Sequence, residues 1–490
     1  MLATLMNTLD STIANVALPH IQGSVSASQE QVTWTLTSYM IATVIMTPLS
    51  GWLSMKIGRK RMFMYSIVGF TVTSMLCGAA TSLPELVFYR ILQGIAGASL
   101  MPLSQATMLD IFPQHMIPKV MSLWSAAVIL GPIMGPTLGG WLTESLNWRW
   151  VFYINLPIGI LAFLGIYLFM DRDEGGRERP FDFLGFTSLV VFIGFFQLMM
   201  DRGPGEEWFD SPEIIIEGAI ALAGLYVFLA HSMTTKNPFF HPDLMKDRNY
   251  AGSVVFSLFI GVLLFSSSAL LPLMMQNLLG YSALYSGWVS MPRGIGSLIA
   301  FLLVPMLVVK LGARQVLVLG VVISVMALWQ MGQFNLSMTA TPIMISGFIQ
   351  GVGTGLMFAP LNTLGYATLS PTHRTEGTIL STMVRSLGSS AGISVIQALY
   401  VNNSGLSHAR LTEKVATGDP LLSTAVPAMM NPASPEGLAM LNAEVTRQGA
   451  MLAYANVFTW MAFVTILMLP VIFLMKPAKP AGPIQAAHAD

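Results

Sequence analysis

The sequence predicts an all-α integral membrane protein with fourteen transmembrane helices, on two observations. Only 10% of the 490 residues are charged and 54% are hydrophobic, whereas a soluble chain carries roughly 25% charged residues. The chain also contains fourteen apolar stretches that each approach the roughly 20 residues a helix needs to cross a bilayer. No soluble class of this length has that pattern.

The apolar stretches fall into three groups along the chain. The first six predicted spans cover residues 1–19, 36–56, 62–82, 84–107, 120–142 and 151–170, and two more cover 183–202 and 213–232. The last six cover 250–272, 284–308, 315–334, 341–365, 379–400 and 451–474. We therefore predict an N-terminal six-helix bundle (1–170), two inserted helices with their loops (171–249), a C-terminal six-helix bundle (250–475) and a cytoplasmic tail (476–490) that is disordered past Pro477.

One long outer loop is predicted over 401–450, with a short helix over 435–449. Read plainly, this loop caps the exit from the bundle. Read functionally, it contacts a partner protein on the outer side of the membrane.

The distribution of basic residues predicts the orientation. With a cytoplasmic N-terminus, sixteen of the 24 Lys and Arg residues lie in inner loops and five in outer loops, and the other three are Arg90, Arg293 and Arg385 inside helices. Cytoplasmic loops carry an excess of Lys and Arg. Both termini are therefore predicted to be cytoplasmic.

Composition narrows the function classes. Lys plus Arg and Asp plus Glu both number 24, so no net charge favours nucleic acid. The single cysteine, Cys77, excludes an internal disulfide and a multi-cysteine metal site. We find no phosphate-binding GxxxxGK[ST] run and expect no cofactor, metal or enzymatic activity. If the chain moves a substrate across the membrane, the energy for that transport would then come from an ion gradient, the substrate's own gradient or a partner subunit.

An internal repeat supports two similar halves. The run from Gln93 to Gly97 recurs 257 residues later from Gln350 to Thr354, and Lys56-Ile57-Gly58-Arg59 recurs at a shift of 254 as Lys310-Leu311-Gly312-Ala313-Arg314. Parallel repeats about an axis normal to the membrane imply a cleft at their interface, which rocking of the halves opens to alternate sides.

Asp10 and Arg90 are ionisable residues inside predicted spans. A charge in hydrocarbon costs a few kcal/mol on insertion scales, so it usually faces a water-filled path or a partner. Their depths differ by roughly 5 Å at 1.5 Å per residue, which an arginine side chain can cover. We predict that Asp10 binds the proton and that Arg90 modulates its proton affinity; the alternative is a permanent ion pair that only holds two helices together.

Several other polar residues are candidates for a cavity. On the first helix, Asn7 and Asn15 share a side with Asp10, and we expect that side to line a cavity. Arg293 and Arg385 either attract an anionic substrate or bond to neighbouring carbonyls as packing elements. The glutamines of the repeat, Gln93 and Gln350, complete the set.

Two glycine-containing runs mark positions of close approach. The inner loop from Gly51 to Arg61 joins the second and third helices, where Gly51 and Gly58 allow a tight reversal and Arg59, Lys60 and Arg61 meet the cytoplasmic side; its plain interpretation is a topology anchor. Inside the fifth helix lie Gly131, Pro132, Gly135, Pro136, Gly139 and Gly140. Small residues let helices approach closely, which predicts a kinked, closely packed gate in preference to an ordinary interface.

These stretches resemble the major facilitator superfamily, and the fourteen-helix count resembles its drug:proton antiporter branch. The matching runs are Leu9 to Pro19 (first-helix signature), Gly51 to Arg61 (loop motif), Arg90-Ile91-Leu92-Gln93-Gly94 (RxxQG), Gly131 to Gly140 (antiporter motif), Asn147 to Pro157 and Leu198 to Gly203. Met55 stands where the superfamily loop usually has an aspartate, which puts the usual acid-to-arginine latch between helices in question.

Within that branch the chain resembles the EmrB-type multidrug exporters of Gram-negative inner membranes. The resemblance implies proton-coupled export of hydrophobic or amphipathic drugs by alternating access, with a periplasmic adaptor and an outer-membrane channel as partners besides membrane lipid. The alternatives are a facilitator or importer of a small metabolite, export of a dedicated endogenous compound, and a sensor or scaffold that binds without transport.

Overall fold

The protein is a bundle of long α-helices. The computed structural model describes residues 1–27, 29–171, 180–370, 373–414 and 434–476, so the predicted tail past Pro477 lies outside the described residues. The helices of the N-terminal half are α1 (Leu2–Ser24), α2 (Gln29–Ile57), α3 (Arg59–Ala79), α4 (Leu83–Gly97), α5 (Leu100–Ile111), α6 (Ile117–Ser145), α7 (Trp150–Tyr153) and α8 (Asn155–Phe169).

Two helices follow before the C-terminal half begins. They are α9 (Phe183–Arg202) and α10 (Pro212–Thr234), which pack on each other. The remaining helices are α11 (Asp243–Lys246), α12 (Arg248–Asn277), α13 (Ala283–Leu311), α14 (Ala313–Met331), α15 (Ala340–Ala367), α16 (Arg374–Lys414), α17 (Pro435–Ile466) and α18 (Met468–Leu474).

Thirteen spans among the described residues are long and apolar enough to cross a membrane. Helix α1 is not one of them, so the predicted count of fourteen differs by one. It has 23 residues, about 34 Å of helix, but buried polar side chains such as Thr4, Thr8 and Asp10 reduce its apolar content. Its neighbours α2, α6 and α8 place it inside the N-terminal half.

Proline interrupts three of the predicted spans. The predicted fourth span, 84–107, breaks between α4 and α5, because Pro102 has no N–H and its ring clashes with the carbonyl four residues earlier, that of Ala98. The Thr47 hydroxyl donates to this carbonyl at 3.4 Å. Pro157 lies four residues after Tyr153, the last residue of α7, and interrupts the predicted span 151–170 in the same way. Pro470 lies four residues after Ile466, the last residue of α17, and interrupts the predicted span 451–474.

The internal repeat is visible in the backbone. Gly58, between α2 and α3, has φ 90° and ψ 145°, and Gly312, between α13 and α14, has φ 85° and ψ 147°. These positions match at the repeat shift of 254, and a positive φ favours glycine. We call the side of the bundle where Gly58 lies the Gly58 end.

Within the predicted outer segment over 401–450, more of the chain is helical than the short helix predicted over 435–449. Helix α16 continues to Lys414 and α17 begins at Pro435; residues 415–433 lie outside the described part of the chain. With 41 residues, α16 is about 60 Å long, twice the hydrocarbon thickness of a bilayer. The ends of the two helices contact each other through His408 Nε2 and Asn442 Oδ1 at 3.1 Å, so the described parts of the predicted loop are helical.

The two halves meet along several pairs of helices. Helix α6 packs on α13 and α15, α5 packs on α16, and α2 also packs on α16. A Cβ on Gly294 of α13 would lie 2.5 Å from Ile133 of α6, and one on Gly287 would lie 2.9 Å from Thr137. The opposite face of α6 packs on α1, where a Cβ on Gly131 or Gly135 would lie 2.3 Å from the hydroxyl of Thr8 or Thr12.

Replacing Gly135 by valine should destabilise the protein. The added side chain would overlap Thr12 of α1, and overpacking typically costs about 1–3 kcal/mol. We expect the apparent melting temperature in detergent, measured by thermal aggregation and size-exclusion chromatography, to fall by several degrees.

Gly165→Val is the matched control, because Gly165 also lies on a helix of the N-terminal half and a Cβ there would meet nothing within 4 Å. Equal melting temperatures for the two variants would contradict the close packing of α1 on α6.

Candidate functional site

Asp10 lies at the centre of a buried polar network in the N-terminal half. Its Oδ2 accepts a hydrogen bond from Arg90 Nη1 at 2.7 Å, and its Oδ1 accepts from Gln93 Nε2 at 2.9 Å and from Asn155 Nδ2 at 2.8 Å. Asp10 has 0% exposure, and Arg90 has 1%. The structure thus brings helices α1, α4 and α8 together around one carboxylate.

The Arg90 guanidinium has further partners. Its Nε donates to the Thr35 carbonyl at 2.9 Å and its Nη1 to Gln93 Oε1 at 2.8 Å. The Tyr39 ring lies 4.1 Å from the guanidinium carbon and the Phe152 ring 5.6 Å, so cation–π contacts add to the ion pair. Only Nη2 is buried without a hydrogen-bond partner among the described residues.

The polar side of α1 does not line a cavity at Asp10, contrary to expectation. Asn7 is also buried and donates to Tyr39 Oη at 3.1 Å and to the Gly97 carbonyl at 3.3 Å, whereas Asn15 is exposed and lies about one and a half turns beyond Asp10. Protein hydrogen bonds take the place of water around the carboxylate. The structure therefore places Asn7 beside the network and Asn15 outside it.

Sequence reasoning missed Asn155, Tyr39 and Thr35 as members of this network. Asn155 also donates to Ser74 Oγ at 2.9 Å, which ties α8 to α3. Asn155 stands inside the run Asn147 to Pro157 that carries part of the family resemblance, so its signal was in the sequence. Tyr39 and Thr35 could not be singled out from the sequence. Aromatic residues and backbone carbonyls occur throughout the helices, and no local pattern marks the ones that contact Arg90.

The glycine-rich run of α6 occupies a central position. Gly131 and Gly135 face α1, where Thr12 Oγ1 donates to the Gly131 carbonyl at 3.1 Å. Gly139 and Gly140 are buried farther along the same helix, which also contains Pro132 and Pro136. Because Ile133 and Thr137 face α13, α6 joins the helix that carries Asp10 to the other half of the protein.

The loop motif is arranged differently from its prediction. Gly51 lies inside α2 and takes no part in the reversal, which Gly58 alone makes; a Cβ on Gly51 would lie 2.4 Å from Ile379 of α16. Lys60 donates to the Tyr167 carbonyl at 2.9 Å and to that of Met170, at the end of α8. Arg61 is exposed.

An acid-to-arginine contact is present although Met55 replaces the usual aspartate. Asp110, near the end of α5, forms ion pairs with Arg59 of α3 and with Arg374 of α16, the second at 3.2 Å. Arg374 also donates to the Leu109 carbonyl at 2.8 Å. We call these three charged residues the Asp110 latch; it joins the two halves at the Gly58 end.

Two arginines inside helices of the C-terminal half, the partly buried Arg293 and the buried Arg385, differ in their partners. Arg293 donates to Ser267 Oγ at 2.7 Å, Ser268 Oγ at 3.2 Å and the Leu264 carbonyl at 3.4 Å, all on α12, which favours its interpretation as a packing element. Arg385 reaches across to the other half, with Nη2 3.0 Å from Met101 Sδ and 3.4 Å from Thr382 Oγ1.

Gln350 differs from its repeat partner Gln93. It is 1% exposed, and neither atom of its amide has a hydrogen-bond partner among the described residues. The position matching Arg90 at the shift of 257 is Gly347. The described residues also contain no group of three or more His, Cys, Asp or Glu side chains that could hold a metal ion.

Similar proteins place the chain in a family. The family model described as Major Facilitator Superfamily matches residues 1–393. The multidrug export protein EmrB of Escherichia coli is 33% identical over 98% of this chain and 95% of its own length, and the fatty acid resistance protein FarB of Neisseria gonorrhoeae is 32% identical over 98% and 96%.

Solved structures show the same fold. The human organic anion transporter MFSD10 superposes with a TM-score of 0.59 at 14% identity, covering 95% of this chain and 97% of its own. The proton:xylose symporter XylE gives a TM-score of 0.57 at 14% identity, with coverages of 96% and 94%. With thirteen apolar spans among its described residues and its match along nearly the whole length of these relatives, the chain is a multi-pass membrane protein that belongs to the major facilitator superfamily.

Proposed function

We propose that this protein is a proton-coupled antiporter that exports hydrophobic or amphipathic compounds from the cytoplasm by alternating access. One observation carries the proposal: Asp10 is a fully buried carboxylate held by three side-chain donors, inside a chain whose curated relatives are named multidrug export proteins. An ionisable residue buried among membrane-spanning helices marks a functional site by default, and proton relays use such carboxylates.

The hydrogen bonds explain how a proton would change the conformation. An ionised carboxylate only accepts hydrogen bonds, whereas a protonated one must also donate through one oxygen. Arg90, Gln93 and Asn155 all donate to Asp10. A proton on either carboxylate oxygen would therefore weaken or displace at least one of these hydrogen bonds. Proton uptake would therefore loosen α1 from α4 or α8.

Alternating access requires the halves to separate at one end at a time. The Asp110 latch and the contact of Gly51 with Ile379 hold the Gly58 end closed. The excess of basic residues in the loops at this end supports a cytoplasmic assignment. The arrangement is then the state closed toward the cytoplasm, and proton exchange would open it.

The same orientation assigns a location and partners. We place the protein in a bacterial inner membrane with both termini in the cytoplasm, surrounded by lipid. The extensions of α16 and α17, joined by His408 and Asn442, would then project into the periplasm. They offer a surface for a periplasmic adaptor that leads to an outer-membrane channel.

Asp10→Asn should abolish proton-driven export while leaving drug binding. Asparagine has nearly the same shape and keeps an acceptor oxygen, but it binds no proton. In proteoliposomes with an imposed pH gradient, we expect export to fall at least about a hundredfold, to the level of empty liposomes. Binding, measured by tryptophan fluorescence in detergent, should stay within about threefold.

Glu217→Gln is the matched control, because Glu217 is also a buried carboxylate paired with an arginine, Arg202, at 3.0 Å, and lies on the inserted helix α10. Removing one partner of a buried pair can cost roughly 3–5 kcal/mol, so the double variant Asp10→Asn with Arg90→Gln tests coupling without a lone charge. Full gradient-driven export by either Asp10 variant would refute the proposal, and flux only down the substrate gradient would indicate a facilitator.

Arg374→Gln should favour opening of the Gly58 end. Partly exposed ion pairs contribute up to about 1 kcal/mol, equivalent to roughly a fivefold change in an equilibrium. With Cys77 replaced by serine, a cysteine placed at Ile379, which is 1% exposed beside Gly51, should react about five times faster with a membrane-impermeant maleimide.

Arg314→Gln serves as the control for the latch. Arg314 also lies in the first turn of a C-terminal helix, but it donates to the Phe473 carbonyl of its own half at 3.2 Å. Unchanged or equal labelling rates in the two variants would show that Arg374 does not hold the halves together.

A further inference from the structure

A cluster of aromatic and polar side chains joins the halves around Arg385. The Arg385 guanidinium lies over the Phe358 ring at 5.4 Å, and Phe358 stacks on Trp124 of the N-terminal half at 6.1 Å. One turn beyond Phe358, Asn362 Oδ1 accepts from Gln105 Nε2 at 2.9 Å. Together with Met101, these residues form the Arg385 cluster, which draws on α5, α6, α15 and α16.

The cluster is buried but incompletely bonded. Arg385 is 6% exposed and Trp124 and Gln105 are 0% exposed, yet Trp124 Nε1 and Gln105 Oε1 have no hydrogen-bond partner among the described residues. Arg385 itself reaches only a thioether sulfur and, at 3.4 Å, one hydroxyl. Buried polar groups are usually satisfied, so each exception calls for an explanation.

The charge of the cluster is also uncompensated. None of the ion pairs among the described residues includes Arg385 or Arg293, whereas Arg90 is paired with Asp10. Of the guanidiniums of Arg90, Arg293 and Arg385, only that of Arg90 is therefore paired with a carboxylate among the described residues. A membrane interior with this excess of positive charge favours an anion and opposes a cation.

The position of the cluster fits a substrate path. Helices α5 and α16 run antiparallel along the seam, so that Asp110 meets Arg374 at the Gly58 end and Met101 meets Arg385 deeper in the bundle. Eleven residues of helix separate Arg374 from Arg385, about 16 Å, or roughly half the hydrocarbon thickness. Separation of the halves along this seam uncovers the guanidinium near the midplane.

We propose that the Arg385 cluster is the recognition site for the anionic head of an amphipathic organic anion. This inference rests on the proposed export function and names its substrate class. The Arg385 guanidinium and Trp124 Nε1 donate to the anionic oxygens, while Phe358 and Met101 contact the adjoining apolar body. A guanidinium is suited to such oxygens because it offers several N–H donors in one plane.

A pair of fluorescent probes tests the substrate class. Both carry the same twelve-carbon chain and dye; one ends in a sulfonate, whose charge does not vary with pH, and the other in the neutral primary sulfonamide. Binding is measured by fluorescence titration in detergent, and export in proteoliposomes with an imposed pH gradient. We expect the intact protein to bind and export the sulfonate in preference to the sulfonamide.

Arg385→Gln should lower sulfonate binding and export at least about tenfold, as expected for the loss of a charge-assisted hydrogen bond, and change the sulfonamide by less than twofold. Arg385→Lys keeps the charge and should retain an intermediate preference. Arg293→Gln is the matched control, since it removes a partly buried guanidinium that also has no carboxylate partner among the described residues but is bonded within its own half, and the preference should persist.

The outcomes separate the inference from the proposed function. Equal effects of Arg385→Gln on both probes, or no effect on either, would overturn the inference, and so would the same selective loss in Arg293→Gln. If the intact protein binds the sulfonate through Arg385 but exports neither probe against a gradient, the inference stands and the proton-coupled function fails. A melting temperature for each variant identifies loss of folding.

Discussion

The arrangement of the N-terminal half depends on one constraint: a carboxylate without water must be satisfied by protein donors. Taking an isolated charge out of water costs many kcal/mol unless it is paired and hydrogen-bonded. Asp10 meets this requirement with a guanidinium and two amides drawn from α4 and α8. The positions of α1, α4 and α8 are therefore linked to the charge of a single group, and the aromatic rings beside Arg90 complete the enclosure.

The repeat reproduces the scaffold but not this charge arrangement. Gly58 and Gly312 adopt almost the same backbone angles, and Gln93 and Gln350 are both buried. Gly347, however, stands where the shift of 257 would place an arginine. Positive charge in the C-terminal half comes instead from α13 and α16, where Arg293 and Arg385 have no carboxylate. The arginine that is paired with a carboxylate, Arg90, thus lies in the N-terminal half. The arginines without such a partner among the described residues, Arg293 and Arg385, lie in the C-terminal half.

Much of the helical architecture could be predicted from the sequence, because apolar length and basic loops report directly on membrane spans. The contact between Asp10 and Arg90 followed from their depths. Asn155 lies in a run that carries part of the family resemblance, but its contact with Asp10 and that of Arg374 with Asp110 could not be predicted, since the partners lie 145 and 264 residues away in the chain and only tertiary packing brings them together. The extension of α16 past residue 400 was not predicted, because polar composition signals exposure to water and does not separate a solvated helix from irregular chain.

The location of the Asp10 network restricts how protonation can act. All its donors belong to the N-terminal half, so a rigid-body tilt of one half against the other leaves every contact of the carboxylate unchanged. If Asp10 binds the proton, α1 must move relative to α4 or α8. Helix α6 can link the two movements, because Gly131 and Gly135 contact α1 while Ile133 and Thr137 contact α13. The close approach that the glycines permit then serves a mechanical purpose: without side chains between them, a displacement of α6 by the C-terminal half passes directly to the helix that carries the acid.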